Sequence, residues 1–132
     1  MLVTLDTSVV MAVLLEEPSK KEIISLTQGA DLQAPPSLPW EVGNALSSLM
    51  RRELLESSQA ASAVEVFERI PIRFAEVELS SIVRLLNIHS MWAYDAYVIE
   101  CARKYRTPLM SLDKTQRRIA TAEGVDIVEI VI

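Results

Sequence analysis

The sequence predicts a three-layer α/β/α domain on a parallel sheet of five strands with about seven helices, and three observations carry that prediction. Short apolar runs alternate with segments of helical periodicity along the whole chain. Two of those runs, Leu2-Val3-Thr4-Leu5 and Leu109-Met110-Ser111-Leu112, end abruptly in an aspartate, Asp6 and Asp113. No repeat, linker or low-complexity tract divides the 132 residues, so they read as one domain with room for a hydrophobic core. Helices between short apolar strands imply right-handed crossovers, hence strands that run parallel with helices on both faces.

The opening run has the composition of a strand buried on both faces, and Thr7 or Ser8 is placed to cap the helix that Val9 to Leu15 continues. Glu17-Pro18-Ser19 breaks that helix. Ser19 then starts a second one through Thr27, with Gly29 as its stop. Asp31-Leu32-Gln33-Ala34 is a weak strand ended by Pro35-Pro36, and a third helix runs from 38 to 51 or 52. Glu56-Ser57-Ser58 opens a fourth helix to Arg69, whose apolar stripe is Ala60, Ala63, Val64 and Phe67. Residues 71–74 form a short strand, 77–88 a fifth helix and 94–105 a sixth. The run 108–113 repeats the opening pattern of a strand entering an aspartate. A seventh helix follows to Glu123, Gly124 stops it, and 126–131 is the fifth strand.

Composition narrows the function classes. Thirteen basic residues against eighteen acidic ones give a net charge of −5, which argues against non-specific nucleic-acid binding. That argument lapses where several acids share a cation, because the ion reverses the local field. Half of the residues are hydrophobic, a surplus that a partner interface would cover, most simply in a homodimer. No apolar run is long enough for a membrane span. The N-terminus lacks the basic region of a signal peptide, Asp6 interrupts its apolar run, and Glu16-Glu17 stand where a cleavage site would be. Cys101, the single cysteine, leaves no intramolecular disulfide and no cysteine-based metal cluster. A cytoplasmic location is the expectation. His89 is the only histidine, so Ser-His-Asp or Cys-His machinery is hard to build, and it reads as a surface residue ending the fifth helix. Cys101, Trp40 and Trp92 read first as packing residues.

Four acids stand in places that ordinary packing does not favour. Glu41 falls at the edge of the apolar stripe Leu38, Val42, Ala45, Leu46 and Leu49. A carboxylate at a helix start, favoured by the macrodipole, explains it equally well. Asp95 heads the stripe Val98, Ile99 and Ala102 of a helix apolar nearly all round, where an ionised carboxylate is costly unless compensated. The competing role for Asp95 is an N-cap, as it is for Asp6 and Asp113 at their strand ends. Parallel strands place their carboxyl ends on one edge, and the starts of the following helices gather there, which brings all four acids together. Gathered carboxylates raise one another's pKa. A hard divalent cation relieves them, and Mg²⁺ or Mn²⁺ suits all-oxygen ligands where zinc would want His or Cys. Such sites commonly serve phosphate chemistry.

Val3-Thr4-Leu5-Asp6-Thr7-Ser8-Val9 resembles the opening of PIN-domain nucleases, and Trp40-Glu41-Val42-Gly43-Asn44-Ala45-Leu46 is similar to their second acidic motif. Tyr94-Asp95-Ala96-Tyr97-Val98 and Leu109-Met110-Ser111-Leu112-Asp113 look like the third and fourth. Order, spacing and length resemble the VapC-type toxins over essentially the whole chain. The resemblance implies a metal-dependent endoribonuclease from a bacterial or archaeal toxin–antitoxin pair, usually dimeric. It implies Asp6 and Asp95 as the core metal ligands, Glu41 and Asp113 completing the quartet, and Ser8 and Ser111 as their polar neighbours. It further implies an antitoxin whose C-terminal segment wraps the toxin and inserts a basic side chain among the acids. Two departures stand out. Ser111 occupies a position that is commonly Thr, and Gln116 is the nearest candidate where many relatives carry a further acid or amide, which bears on a second metal.

Lys114, Arg117 and Arg118 follow Asp113 closely and are candidates to touch an RNA backbone, although charges at helix ends are usually solvated caps. A non-toxin PIN-domain nuclease of RNA processing fits the same motifs. A phospho-receiver is disfavoured because receivers pair acids after the first strand, whereas Thr7-Ser8 follow Asp6. A haloacid-dehalogenase-type phosphatase would want an aspartate in place of Ser8. A binding-only use of the fold is disfavoured by the intact quartet.

Overall fold

The computed structural model describes residues 1–131. In chain order its elements are β1 (Leu2–Leu5), α1 (Thr7–Leu14), α2 (Lys20–Thr27), β2 (Asp31–Ala34), α3 (Leu38–Arg51), α4 (Ser57–Arg69), β3 (Ile72–Phe74), α5 (Leu79–His89), α6 (Ala93–Tyr105), β4 (Leu109–Met110) and α7 (Lys114–Ala122). The sheet is parallel throughout, in the order β3-β2-β1-β4, with β1 pairing Val3 to Leu32 and Leu5 to Met110. The two central strands alternate their side chains across it. Val3, Leu5, Ala34 and Met110 enter a core with α1–α4, while Leu109 enters a second core with α5–α7. Those two cores are the outer interfaces of a three-layer α/β/α domain.

The expected sheet of five strands is corrected to four. Beyond Met110 the backbone leaves the sheet: the Leu112 N–H donates to Ser8 Oγ (3.0 Å) and the Asp113 N–H to Ser111 Oγ (3.1 Å). β4 is therefore only two residues long. It offers one rung to the stretch 126–131, which meets it through a single bridge, Leu109 to Ile127. Val128 and Ile130 still pack on the first core. The apolar pattern that suggested a strand is real, but its pairing partner is too short.

Local chemistry explains most of the remaining boundaries. α1 is capped by Asp6 itself, whose carboxylate accepts from the Ser8 N–H, rather than by Thr7 or Ser8. Gly29 and Gly124 have φ of +75° and +79°, the left-handed conformation that ends the helices before them. Inside the sheet a polar knot crosses the layers: Gln33 Nε2 donates to Thr4 Oγ1 (2.9 Å), and the Thr4 and Thr107 hydroxyls share a hydrogen bond (2.5 Å). Cys101 lies beside it, fully buried, and burial pushes its thiol up to about 12, so it stays protonated and acts as packing. Ile82 anchors α5 in the second core at 2% exposure. Ile82→Val is expected to cost about 1 kcal/mol, the usual loss for one buried methylene, read as a lower denaturation midpoint with unchanged slope.

Candidate active site

The carboxyl edge of the sheet is where β1 delivers Asp6 and where the chain leaving β4 delivers Asp113. The starts of α3 and α6 bring Glu41 and Asp95 to the same place. Asp6 is the most constrained of the four. It is buried; Oδ2 accepts from the Ser8 N–H (3.1 Å) and the Ser111 hydroxyl (3.4 Å), and Oδ1 accepts from Gln116 Nε2 (3.2 Å). Glu41 is held at both oxygens, accepting from the Thr7 hydroxyl at 3.0 Å and the Ser37 hydroxyl at 2.9 Å. Asp113 caps α7 through the Gln116 N–H (2.9 Å) and faces solvent. Asp95 is half-buried in the first turn of α6, and its carboxylate makes no hydrogen bond among the described residues.

These acids feel one another. Burial pushes the Glu41 carboxyl up to about 7, the Ser37 and Thr7 hydroxyls oppose that rise, and the charges of Asp6 and Asp95 add to it. Burial also raises Asp95, with Asp6 and then Asp113 pushing the same way. No basic side chain compensates: among the described residues every ion pair lies elsewhere. The donor set is therefore all oxygen, anionic and free of a resident cation, which suits a hard divalent ion. Gln116 adds a buried Oε1 with no partner, a neutral oxygen that an ion's hydration water would satisfy. Among the described residues no three of the acids close on one point. An ion seated here would therefore have one or two of these carboxylates as protein ligands and water for the rest of its shell, a coordination that Mg²⁺ accepts.

Ser8 and Ser111 do more than adjoin the acids. Ser8 Oγ accepts from the Leu112 N–H, and Ser111 Oγ both donates to Asp6 and accepts from the Asp113 N–H, so the two strand ends are latched together. Of the candidate RNA contacts, Lys114 and Arg118 stand exposed. Arg117 is partly buried and donates to the Ser111 carbonyl (2.9 Å), clamping the end of β4. Thr7 and Ser37 were not foreseen as partners of Glu41. Ser37 lies one helical turn before it, a spacing that was readable; the Thr7 contact joins distant parts of the chain and was not. Three expectations fail. Trp40 and Trp92 are not core residues but 68% and 84% exposed. His89 is no free surface residue, since its Nε2 meets Glu123 Oε2 at 2.8 Å with only 16% of the side chain exposed.

A cavity of about 280 Å³ opens beside Asp95 and Asp113, and a larger one of about 440 Å³ lies between α1 and α4, away from the acids.

Comparison with known proteins places this geometry. Residues 3–122 match the family model of the PIN domain. No curated protein matches the sequence. Among solved structures, the chain is similar to one in the crystal structure of VapBC2 from Rickettsia felis bound to a DNA fragment from its promoter. The TM-score there is 0.68 at 12% identity, covering 97% of this chain and 98% of that one. It is similar also to PAE2754 from Pyrobaculum aerophilum, with a TM-score of 0.67 at 18% identity over 90% of this chain and 87% of that one. At such identities these likenesses establish the fold, and the family match covers all but the two ends of the chain. The protein belongs to the PIN-domain family, whose members are generally nucleases.

Proposed function

We propose that the protein is a metal-dependent endoribonuclease and the toxin of a toxin–antitoxin pair. The observation that carries the nuclease reading is the group of acids at the sheet edge, where Asp6 and Asp95 act on Glu41, Asp6 and Asp113 act on Asp95, and no basic side chain is ion-paired to any of them among the described residues. The toxin reading draws on the fold shared with a chain of the Rickettsia felis VapBC2 complex. Asp6 and Asp95 would hold Mg²⁺ or Mn²⁺, with Glu41 and Asp113 completing the negative bowl. Once bound, the ion supplies Lewis-acid polarisation of a phosphate oxygen and lowers the pKa of a coordinated water. The protein's own contribution is positional. Ser8, Ser111 and Gln116 fix the Asp6 carboxylate before substrate arrives, so little reorganisation is needed at reaction. Glu41, with a pKa near 7, is matched to take or give a proton at neutral pH.

The same bowl would receive a basic side chain from an antitoxin, which makes inhibition and metal binding competitive. Leu79, Val83 and Ile88 on α5 are exposed apolar residues suited to a homodimer contact, which sedimentation equilibrium tests. No helix among the described residues is long and apolar enough to cross a membrane, and a cytoplasmic location fits an RNA-cleaving role. The test is cleavage of single-stranded RNA. Products are expected with Mg²⁺ or Mn²⁺, none after chelation, and recovery when the ion is restored. Intact RNA under every divalent cation would defeat the assignment.

A further inference from the structure

We propose that the cavity beside Asp95 and Asp113 is a base pocket, which takes the nucleobase of a nucleotide flanking the scissile phosphate. This rests on the nuclease reading above and gives that site a specificity element. The cavity holds about 280 Å³, near the lower end for small-molecule pockets and suited to one flat ring system. Its lining includes the acids Asp95 and Asp113 together with His89, Trp92 and Arg118. A base seated there has its backbone beside the acids.

The construction of the wall favours stacking. Ser90 ends α5 in a left-handed conformation (φ 49°), and the reversal it makes leads into Trp92, the residue that caps α6. Trp92 therefore sits one helical turn before Asp95. Its indole is 84% exposed, an arrangement that costs apolar hydration unless something covers it. The same cavity is lined by Arg118, exposed and without an ion pair among the described residues. An aromatic face, a free guanidinium and a neighbouring phosphate-chemistry site are the parts that bind single-stranded nucleic acid through stacking and backbone charge. His89 in the lining is held in place by Glu123, which meets both His89 Nε2 (2.8 Å) and the Arg84 guanidinium (2.5 Å) and so ties α5 to the end of α7. Gln116 also lines the cavity and holds the buried, unpartnered Oε1, an acceptor that nothing in the protein satisfies.

Fluorescence and kinetics test the pocket separately from the chemistry. Trp40→Phe leaves Trp92 as the only indole of the two in the chain. In that variant a single-stranded RNA oligonucleotide is expected to quench the emission, and an abasic strand of equal length is not. Trp92→Ala is expected to raise KM for RNA about tenfold, the scale of one base–aromatic stack. Trp92→Phe should restore most of it, and cleavage of the abasic strand should be unaffected by either change. Equal KM in wild type and Trp92→Ala, or equal quenching by the abasic strand, overturns the pocket and leaves the nuclease reading standing. In that case the exposed indole belongs to a protein contact. Base-dependent quenching with no cleavage under any divalent cation does the opposite: it keeps the pocket and removes the nuclease.

Discussion

Asp6→Asn is expected to lower RNA turnover by about 100- to 1,000-fold, the range for losing one preorganised electrostatic group at a reacting centre. The substitution is isosteric. Its amide oxygen can still accept from the Ser8 N–H and cap α1, and the Gln116 amide can turn over so that its unpartnered Oε1 accepts from the new Nδ2, which leaves the local backbone in place. What disappears is one negative charge at the most buried of the four acids. A divalent cation loses attraction there, and Asp95 and Glu41 lose a repelling neighbour. Two measurements therefore move in opposite directions. Calorimetric titration with Mg²⁺ should show weaker or no binding, while the melting temperature of the metal-free protein should hold or rise. Wild-type turnover in Asp6→Asn would remove Asp6 from the chemistry. A collapse of the metal-free melting temperature would mean that the activity loss reports folding instead.

The strand ends were legible because a parallel sheet makes its carboxyl edge a meeting point. Asp6 and Asp113 could be placed on that edge from two short apolar runs alone, and Glu41 and Asp95 from their positions on helix starts. The features that escaped depend on contacts between distant parts of the chain. Leu109-Met110-Ser111-Leu112 reads as a four-residue strand, yet the Ser8 hydroxyl takes the Leu112 N–H and Ser111 takes that of Asp113, which ends β4 early and costs the sheet its fifth strand. Trp92 reads as core because large aromatic residues usually are, yet it stands 84% exposed where the chain passes from the left-handed Ser90 into α6. His89 is the same kind of case. Its partner Glu123 is 34 residues away, beyond the reach of any local pattern.

Metal-free protein is expected to lose stability as pH rises from 5 to 8, and Glu41→Gln is expected to flatten that slope. An unfolded Glu41 releases its proton near 4.5, whereas in the fold burial holds the proton to about 7. Below 4.5 both states are protonated and the contribution is fully present. Between the two values the unfolded chain is charged and the folded one is not, so each rise in pH favours unfolding, and above about 7 the loss is complete. Discounted for the partial exposure of the group, the difference is on the order of 2 kcal/mol. Asp95, raised from its ordinary value by burial and by Asp6 and Asp113, acts in the same direction. Glu123 acts oppositely: the Arg84 hydrogen bond leads in lowering its pKa, so its contribution is lost only on acidification below the ordinary glutamate range and does not enter the window. Glu41→Gln mimics the protonated carboxyl and leaves the Thr7 and Ser37 hydroxyls a partner. Urea midpoints at pH 5, 6, 7 and 8 read the slope directly. Added Mg²⁺ should restore the wild type at pH 8 far more than the variant, because ligand binding stabilises in proportion to its affinity for the folded bowl. Parallel slopes for the two proteins would show that Glu41 ionises without strain, and the bowl would then have no reason to call for a cation.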